Sequence, residues 1–220
     1  MDSANFDLPC ALLEAGAVRL SPDAPFTWAS GIKAPVYCDN RQLLGLPMTR
    51  SEITSALVNS ILARDALPTL IAGTSTAGIP WASLVADWMG LPMAYARPEP
   101  KNHGMGRQVE GPAVDKHKVV LIEDLISTGG SSLKCAEALR GEGAEVLEVL
   151  ALFTYELPVA EMAFTKAGVA WRALTTFSAL VDRAVETGAI TQTGRDVLAE
   201  WQLKKSKNIT NELIAKPLET

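Results

Sequence analysis

Two acids, Glu123 and Asp124, close an apolar run that begins at Val119. Just beyond them a string of hydroxyls and glycines, Ser127 to Ser132, leads into a helical pattern, so that the segment reads VVLIEDLISTGGSS. Each part has a chemical use. A turn that follows a buried strand lies beyond the strand's carboxyl end, where open α/β sheets bind ligands. Gly129 and Gly130 let successive backbone N–H groups converge on one point. Ser127, Thr128, Ser131 and Ser132 add hydroxyl donors, and the start of a helix favours an anion. A monophosphate suits such a cradle. Glu123 and Asp124 then stand where a sugar carrying that phosphate presents its hydroxyls, which carboxylates accept well. A plain strand–turn–helix joint explains a lone Gly-rich turn equally well, but two carboxylates at a buried strand end are costly unless something binds them. The segment has neither the Gly-Lys-Ser/Thr of a Walker A loop nor a Gly-x-Gly-x-x-Gly dinucleotide fingerprint.

A second set of residues suits a polyanion. Arg97, Lys101, His103 and Arg107 fall in or beside the stretch from Pro98 to Pro112, which is rich in proline, glycine and charge and has no apolar period. Loops of this length inside a compact domain are often functional. This one could close over an anionic leaving group, exclude water and stabilise developing charge. Alone, a charged loop is more often simply solvated; beside a phosphate cradle the weighting reverses.

The elements that must hold these groups follow from the apolar pattern. Leu8, Leu12 and Leu13 lie at helical spacing before Gly16, and Val18–Leu20, Phe26–Trp28 and Val36–Cys38 read as short strands between Pro, Asp and Gly turns. From Met48 onward helices and strands alternate. Helices are expected over Thr49–Arg64, Ala77–Met89, Gly129–Arg140 and Pro158–Ala167. Strands are expected over Leu67–Ala72, Pro92–Arg97, Val119–Ile122, Val146–Thr154 and Trp171–Leu174, with two closing helices. Such alternation predicts an α/β fold with a mainly parallel sheet flanked by helices. We divide the chain into a small α+β hood (1–45), a core (46–205) and a C-terminal tail (206–220).

Bulk properties restrict the partners. The 220 residues carry a net charge of −5, which gives no whole-molecule attraction to nucleic acid or acidic membrane. Apolar residues make up 48% of the chain, enough for a sizeable core. Apolar runs such as Val146–Phe153 are far shorter than the ~20 residues a bilayer needs. The acidic N-terminus lacks the pattern of a secretory signal, and Cys10, Cys38 and Cys135 are too widely spaced for a metal-ligand pattern. A reduced, cytoplasmic setting is the expectation.

The run from Val119 to Ser132 resembles the 5-phosphoribosyl diphosphate (PRPP) motif of the type I phosphoribosyltransferases. The resemblance implies that Glu123 and Asp124 bind the ribose hydroxyls and that Ser127, Thr128, Gly129, Gly130 and Ser131 hold the 5′-phosphate. Three more segments are similar to those of the orotate phosphoribosyltransferases. FTWASGIKAPVYCDNR, Phe26 to Arg41, resembles their N-terminal signature, part of a hood over the base, with backbone groups near Val36 and Tyr37 against orotate. GTSTAGIP, Gly73 to Pro80, resembles their diphosphate loop and includes Thr76. RPEPKNHGMGR, Arg97 to Arg107, resembles their catalytic loop.

That family resemblance implies transfer from PRPP to orotate, with Lys101, His103 and Asp124 as the catalytic residues and Arg97 on the leaving diphosphate. It implies Mg²⁺ held mainly by PRPP and water, and a homodimer that shares the catalytic loop across its interface. Departures leave the partner of the orotate carboxylate open. Pro98, Ala77 and Ala29 stand where some members have lysine, and Tyr155 lies near an arginine that faces orotate in others. Lys33 and Arg41 are the candidates. A PRPP-binding regulator without catalysis and a transferase for another base are the alternatives.

Overall fold

The computed structural model describes residues 6–27, 33–100 and 107–215, with side chains up to residue 205. Its centre is a six-stranded sheet. The strands are β5 (Leu70–Thr74), β6 (Met93–Ala96), β7 (Val109–Glu110), β8 (Lys118–Ile126), β9 (Glu145–Thr154) and β10 (Trp171–Thr176), in the order β10-β9-β8-β5-β6-β7. Every neighbouring pair is parallel except β6 with β7. The fold class expected from the alternating pattern is the one observed.

Helices cover both faces, which is why β5 is wholly buried and apolar up to Thr74. On one face pack α2 (Pro47–Leu62), α3 (Gly78–Met89) and α6 (Phe177–Glu186), through Ile53, Leu57, Trp81, Val85, Phe177 and Leu180. On the other pack α4 (Gly130–Gly141) and α5 (Pro158–Ala167), through Cys135, Leu139 and Phe164. The two-residue period of a strand divides β8 between them: Val120 and Ile122 join the first core, Val119 and Leu121 the second.

The connections diverge between β5 and β8. From β5 the chain runs through α3 to β6; from β8 it runs through α4, on the opposite face, to β9. This reversal opens a crevice at the carboxyl ends of β5 and β8, the place where doubly wound sheets bind ligands.

The preceding segment folds over this end. Helix α1 (Leu8–Glu14) buries Leu8 and Leu12. Strands β1 (Val18–Leu20) and β4 (Val36–Cys38) pair antiparallel, as do β2 (Phe26–Thr27) and β3 (Lys33–Ala34), and a 3₁₀ helix (Asn40–Gly45) leads into α2. The last helix, α7, spans Gln192–Ala215.

Three boundaries differ from expectation. Strand β8 does not stop at Ile122. On one side its pairing with β5 ends at Gly73↔Ile122, but on the other β9 keeps pace through Glu123↔Ala151, Leu125↔Phe153 and Ile126↔Thr154. Both acids therefore lie inside a strand held along one edge. Strand β5 begins at Leu70, after Pro68, which has no N–H for a ladder, and continues to Thr74. The expected loop from Pro98 to Pro112 contains β7, a two-residue edge strand too short to show any alternation.

Candidate active site

Two turns form the walls of the crevice. The first leaves β5 at Thr74. Ser75 donates its N–H to the Ala96 carbonyl (2.8 Å), the Ser75–Thr76 peptide is cis, and Thr76 is exposed. Gly78 then starts α3 directly against β8; a Cβ there would overlap both the Ile122 carbonyl oxygen and Thr74 Oγ1. The second turn leaves β8 after Ile126. Ser127 and Thr128 are half-buried and Gly130 and Ser131 are exposed, so these donors border open space. Gly129 has φ +79°, and a Cβ there would stand 2.5 Å from the Phe164 ring. Both the left-handed backbone and the ring of α5 thus require glycine at the mouth of α4.

Between the turns stand the acids. Glu123 is buried, and its carboxylate accepts from Thr74 Oγ1 (2.6 Å), Ser132 Oγ (2.8 Å) and the Asp124 N–H (3.0 Å). It bridges the diphosphate-type turn to the first turn of α4. Ser132, expected to add a hydroxyl to the phosphate cradle, instead supports this carboxylate, because it is buried beneath the turn. Asp124 is half-buried, and its carbonyl accepts from Asn40 Nδ2 (2.8 Å), which ties the hood to the end of β8. Asn40 was legible only as one residue of the hood signature; its partner lies 84 residues away.

Burial pushes the pKa of Glu123 up to about 7, with the Asp124 charge acting in the same direction and the Thr74 and Ser132 hydroxyls opposing it. Burial also raises Asp124, opposed by hydrogen bonds and by the Arg41 charge. The ordinary value for Glu123 is 4.5. Between that value and about 7 the folded chain retains a proton that the unfolded chain has released, so stability falls as pH rises through the window. Glu123→Gln is expected to flatten that fall, leaving the smaller share due to Asp124. Urea melts of both proteins at about pH 5 and about pH 8 compare the slopes; equal slopes would remove Glu123 as their source.

The hood brings aromatic and basic side chains together. Tyr37 is half-buried, and the Arg19 guanidinium lies 4.9 Å from its ring centroid and 5.5 Å from that of Phe26. Arg19 faces Tyr37 across the β1–β4 ladder, a pairing no local pattern announces. Lys33 is exposed on β3. Arg41 is exposed and bonded to Asp39 (2.6 Å). Tyr155 packs in a buried aromatic cluster with Phe153, Phe177 and Trp201, so this position adds no polar group to the crevice.

Arg97 follows β6 beside the first turn and is bonded to Glu110 (3.1 Å). Lys101 and His103 lie outside the described residues, as do Trp28 and Ala29. Cys135 is buried behind the site, donates to the Ala96 carbonyl (3.3 Å), and has its thiol pKa pushed up to about 12 by burial, which keeps it protonated. Among the described residues no group of three or more His, Cys, Asp or Glu could enclose a metal ion.

Comparisons with known proteins agree with this geometry. Residues 42–161 match the model of the phosphoribosyl transferase domain. The chain is 50% identical over 191 residues to the orotate phosphoribosyltransferase of Lactococcus lactis, covering 87% of this chain and 91% of that one. It is 50% identical over 190 residues to that of Cutibacterium acnes, covering 86% and 88%. The crystal structure of orotate phosphoribosyltransferase from Aeropyrum pernix superposes with a TM-score of 0.72 at 30% identity, covering 84% of this chain and all of that one.

Proposed function

The chain belongs to the orotate phosphoribosyltransferase family, and on that premise we propose how its own residues carry the transfer of a phosphoribosyl group from PRPP to orotate. The products are orotidine 5′-monophosphate and diphosphate, in pyrimidine biosynthesis. The observation that carries the assignment of roles is the crevice between β5 and β8, where one turn, two acids and a helix start converge.

The 5′-phosphate is assigned to the turn Ser127–Ser131, with its backbone amides, hydroxyls and the start of α4 as donors. Asp124 takes the ribose hydroxyls directly. Glu123 lies at the same edge but is already partnered by Thr74 and Ser132, so its reach to the ribose requires exchange of one of those bonds. Thr76 and Arg97 flank the diphosphate. In the reaction the bond from C1 to the diphosphate oxygen breaks with its electron pair on the leaving group. A ring nitrogen of orotate forms the new bond to C1, and the nitrogen's proton is lost. Lys101, His103 and Arg97 are assigned to the developing charge, and His103 can also deliver a proton to it. Tyr37 borders the base, with Lys33 and Arg41 as candidates for the orotate carboxylate.

Phosphoribosyltransferases generally use Mg²⁺ with PRPP. The site fits a cation held mainly by its substrate: Asp124 offers hard oxygen, and among the described residues no cluster of His, Cys, Asp or Glu would enclose the ion by itself. Mg²⁺ would neutralise diphosphate charge there.

We assign the same three units as above, hood, core and tail, and a homodimer in which the loop after Arg97 serves the neighbouring subunit. Exposed Trp88, Met48, Leu62 and Leu67 offer apolar surface that an interface could cover. A cytoplasmic location agrees with three free cysteines and with the absence, among the described residues, of any helix long and apolar enough to cross a membrane.

The test is incubation with PRPP, Mg²⁺ and either orotate, adenine, hypoxanthine or uracil, following base absorbance and diphosphate release. Orotate alone is expected to be consumed, with one diphosphate per orotate, and chelation of Mg²⁺ should stop the reaction. Diphosphate release with a purine, or PRPP binding without release on any base, would overturn the assignment in favour of another transferase or a regulator.

A further inference from the structure

We propose that Glu110 is a positioning residue that orients the Arg97 guanidinium toward the leaving diphosphate; this rests on the assignment of Arg97 to that group.

The short antiparallel pair β6–β7 sets Glu110 directly opposite Tyr95, and Arg97 stands two residues beyond Tyr95 on the same face. The two carboxylate oxygens of Glu110 divide the work. One accepts from the Tyr95 hydroxyl (2.9 Å) and the other from Arg97 Nε (3.1 Å). The guanidinium also lies 5.8 Å from the Tyr95 ring centroid. Its Nε edge is thereby held, while its side chain remains 34% exposed.

A guanidinium is a rigid fork of five donors. With Nε committed to Glu110, the guanidinium still carries terminal N–H donors that can meet diphosphate oxygens. The backbone fixes the base of this arrangement. Arg97 N–H donates to the Gln108 carbonyl (2.9 Å), and Gln108 Nε2 donates to the carbonyls of Arg97 (3.3 Å) and Pro98 (3.4 Å). Glu99 pairs with Lys134 on α4. Next to a polyanion site a carboxylate is repulsive, and the Arg97 guanidinium bound to Glu110 offsets that charge.

The test is a double-mutant cycle read on the KM for PRPP. Arg97→Ala should raise it about tenfold or more, as expected for loss of a charge-assisted contact. Glu110→Ala should raise it about tenfold, leave the KM for orotate within about twofold, and leave Tm close to the parent's. Glu110→Gln, which keeps an oxygen for Nε, should restore most of the loss. In the Arg97→Ala background, Glu110→Ala should add little, because no guanidinium is left for Glu110 to orient. If Arg97→Ala leaves the KM for PRPP unchanged, the role of Arg97 itself is wrong. If Arg97→Ala raises it while Glu110→Ala does not, or if Glu110→Ala raises it equally in both backgrounds, the positioning role is wrong and Glu110 only supports the fold.

Discussion

Lys101→Ala lowers kcat by about 10²–10³-fold, the usual cost of removing one donor aimed at developing charge, while Tm stays at that of the parent chain. The reason lies in the charge balance of the crevice. The side chains described around it include Glu123, Asp124, Glu110 and Asp39 against Arg97 and Arg41. Arg97 and Arg41 are each bonded to one of these acids. A diphosphate departing from C1 becomes more negative as the bond breaks. The loop bearing Lys101, His103 and Arg107 is the segment proposed to meet that charge. An interaction made chiefly in the transition state lowers kcat and kcat/KM together and leaves substrate binding little changed. Substitutions at positions without buried contacts usually change stability by no more than about 0.5 kcal/mol, and the unchanged Tm expected here tests whether Lys101 is one of them. Single-turnover diphosphate release measures the chemical step directly. A near-parental rate in that assay would transfer the leaving-group role to Arg97, His103 or the metal.

The part of the site that sequence reasoning recovered is contiguous in the chain. The apolar strand, the acid pair, the glycine turn and the helix after it all fall within Val119 to Arg140. The alternating helices and strands were legible because β5, β8 and β9 are buried on both faces and therefore mostly apolar. What escaped were relations at a distance. Glu123 and Asp124 look equivalent as neighbours, but the Glu123 carboxylate is taken by Thr74 and Ser132, while at Asp124 the backbone carbonyl meets Asn40 of the hood. Nothing near Arg97 announces Glu110, because their meeting depends on a two-residue strand without a readable period. The end of β8 was misjudged for a related reason: its length is set by β9 on one side alone.

Gly78→Ala is expected to reduce kcat/KM for PRPP by about 100-fold, the scale on which a displacement of about 1 Å damages a catalytic geometry. Helix propensity alone gives the opposite sign for stability, since alanine exceeds glycine by about 0.8–1.0 kcal/mol inside a helix, and Gly78 has no left-handed backbone to forbid it. The packing decides otherwise. The added methyl meets the Ile122 carbonyl oxygen, which the β8 backbone holds, and Thr74 Oγ1, which is bound to Glu123 at 2.6 Å. Room can be made in two ways. Lifting the first turn of α3 displaces Ser75 and Thr76, which lead into it. Turning Thr74 aside strips a donor from the buried Glu123 carboxylate. The first damages the diphosphate turn and the second leaves a buried acid short of a partner, so either route loses activity, with about 1–3 kcal/mol of stability lost to overpacking. Gly45→Ala is the matched control, because a methyl there meets nothing within 4 Å. Steady-state kinetics and thermal melts of the two variants separate the effects. A Gly78→Ala enzyme with the parent's kcat/KM would mean that contact between the first turn and the end of β8 does not set the catalytic geometry.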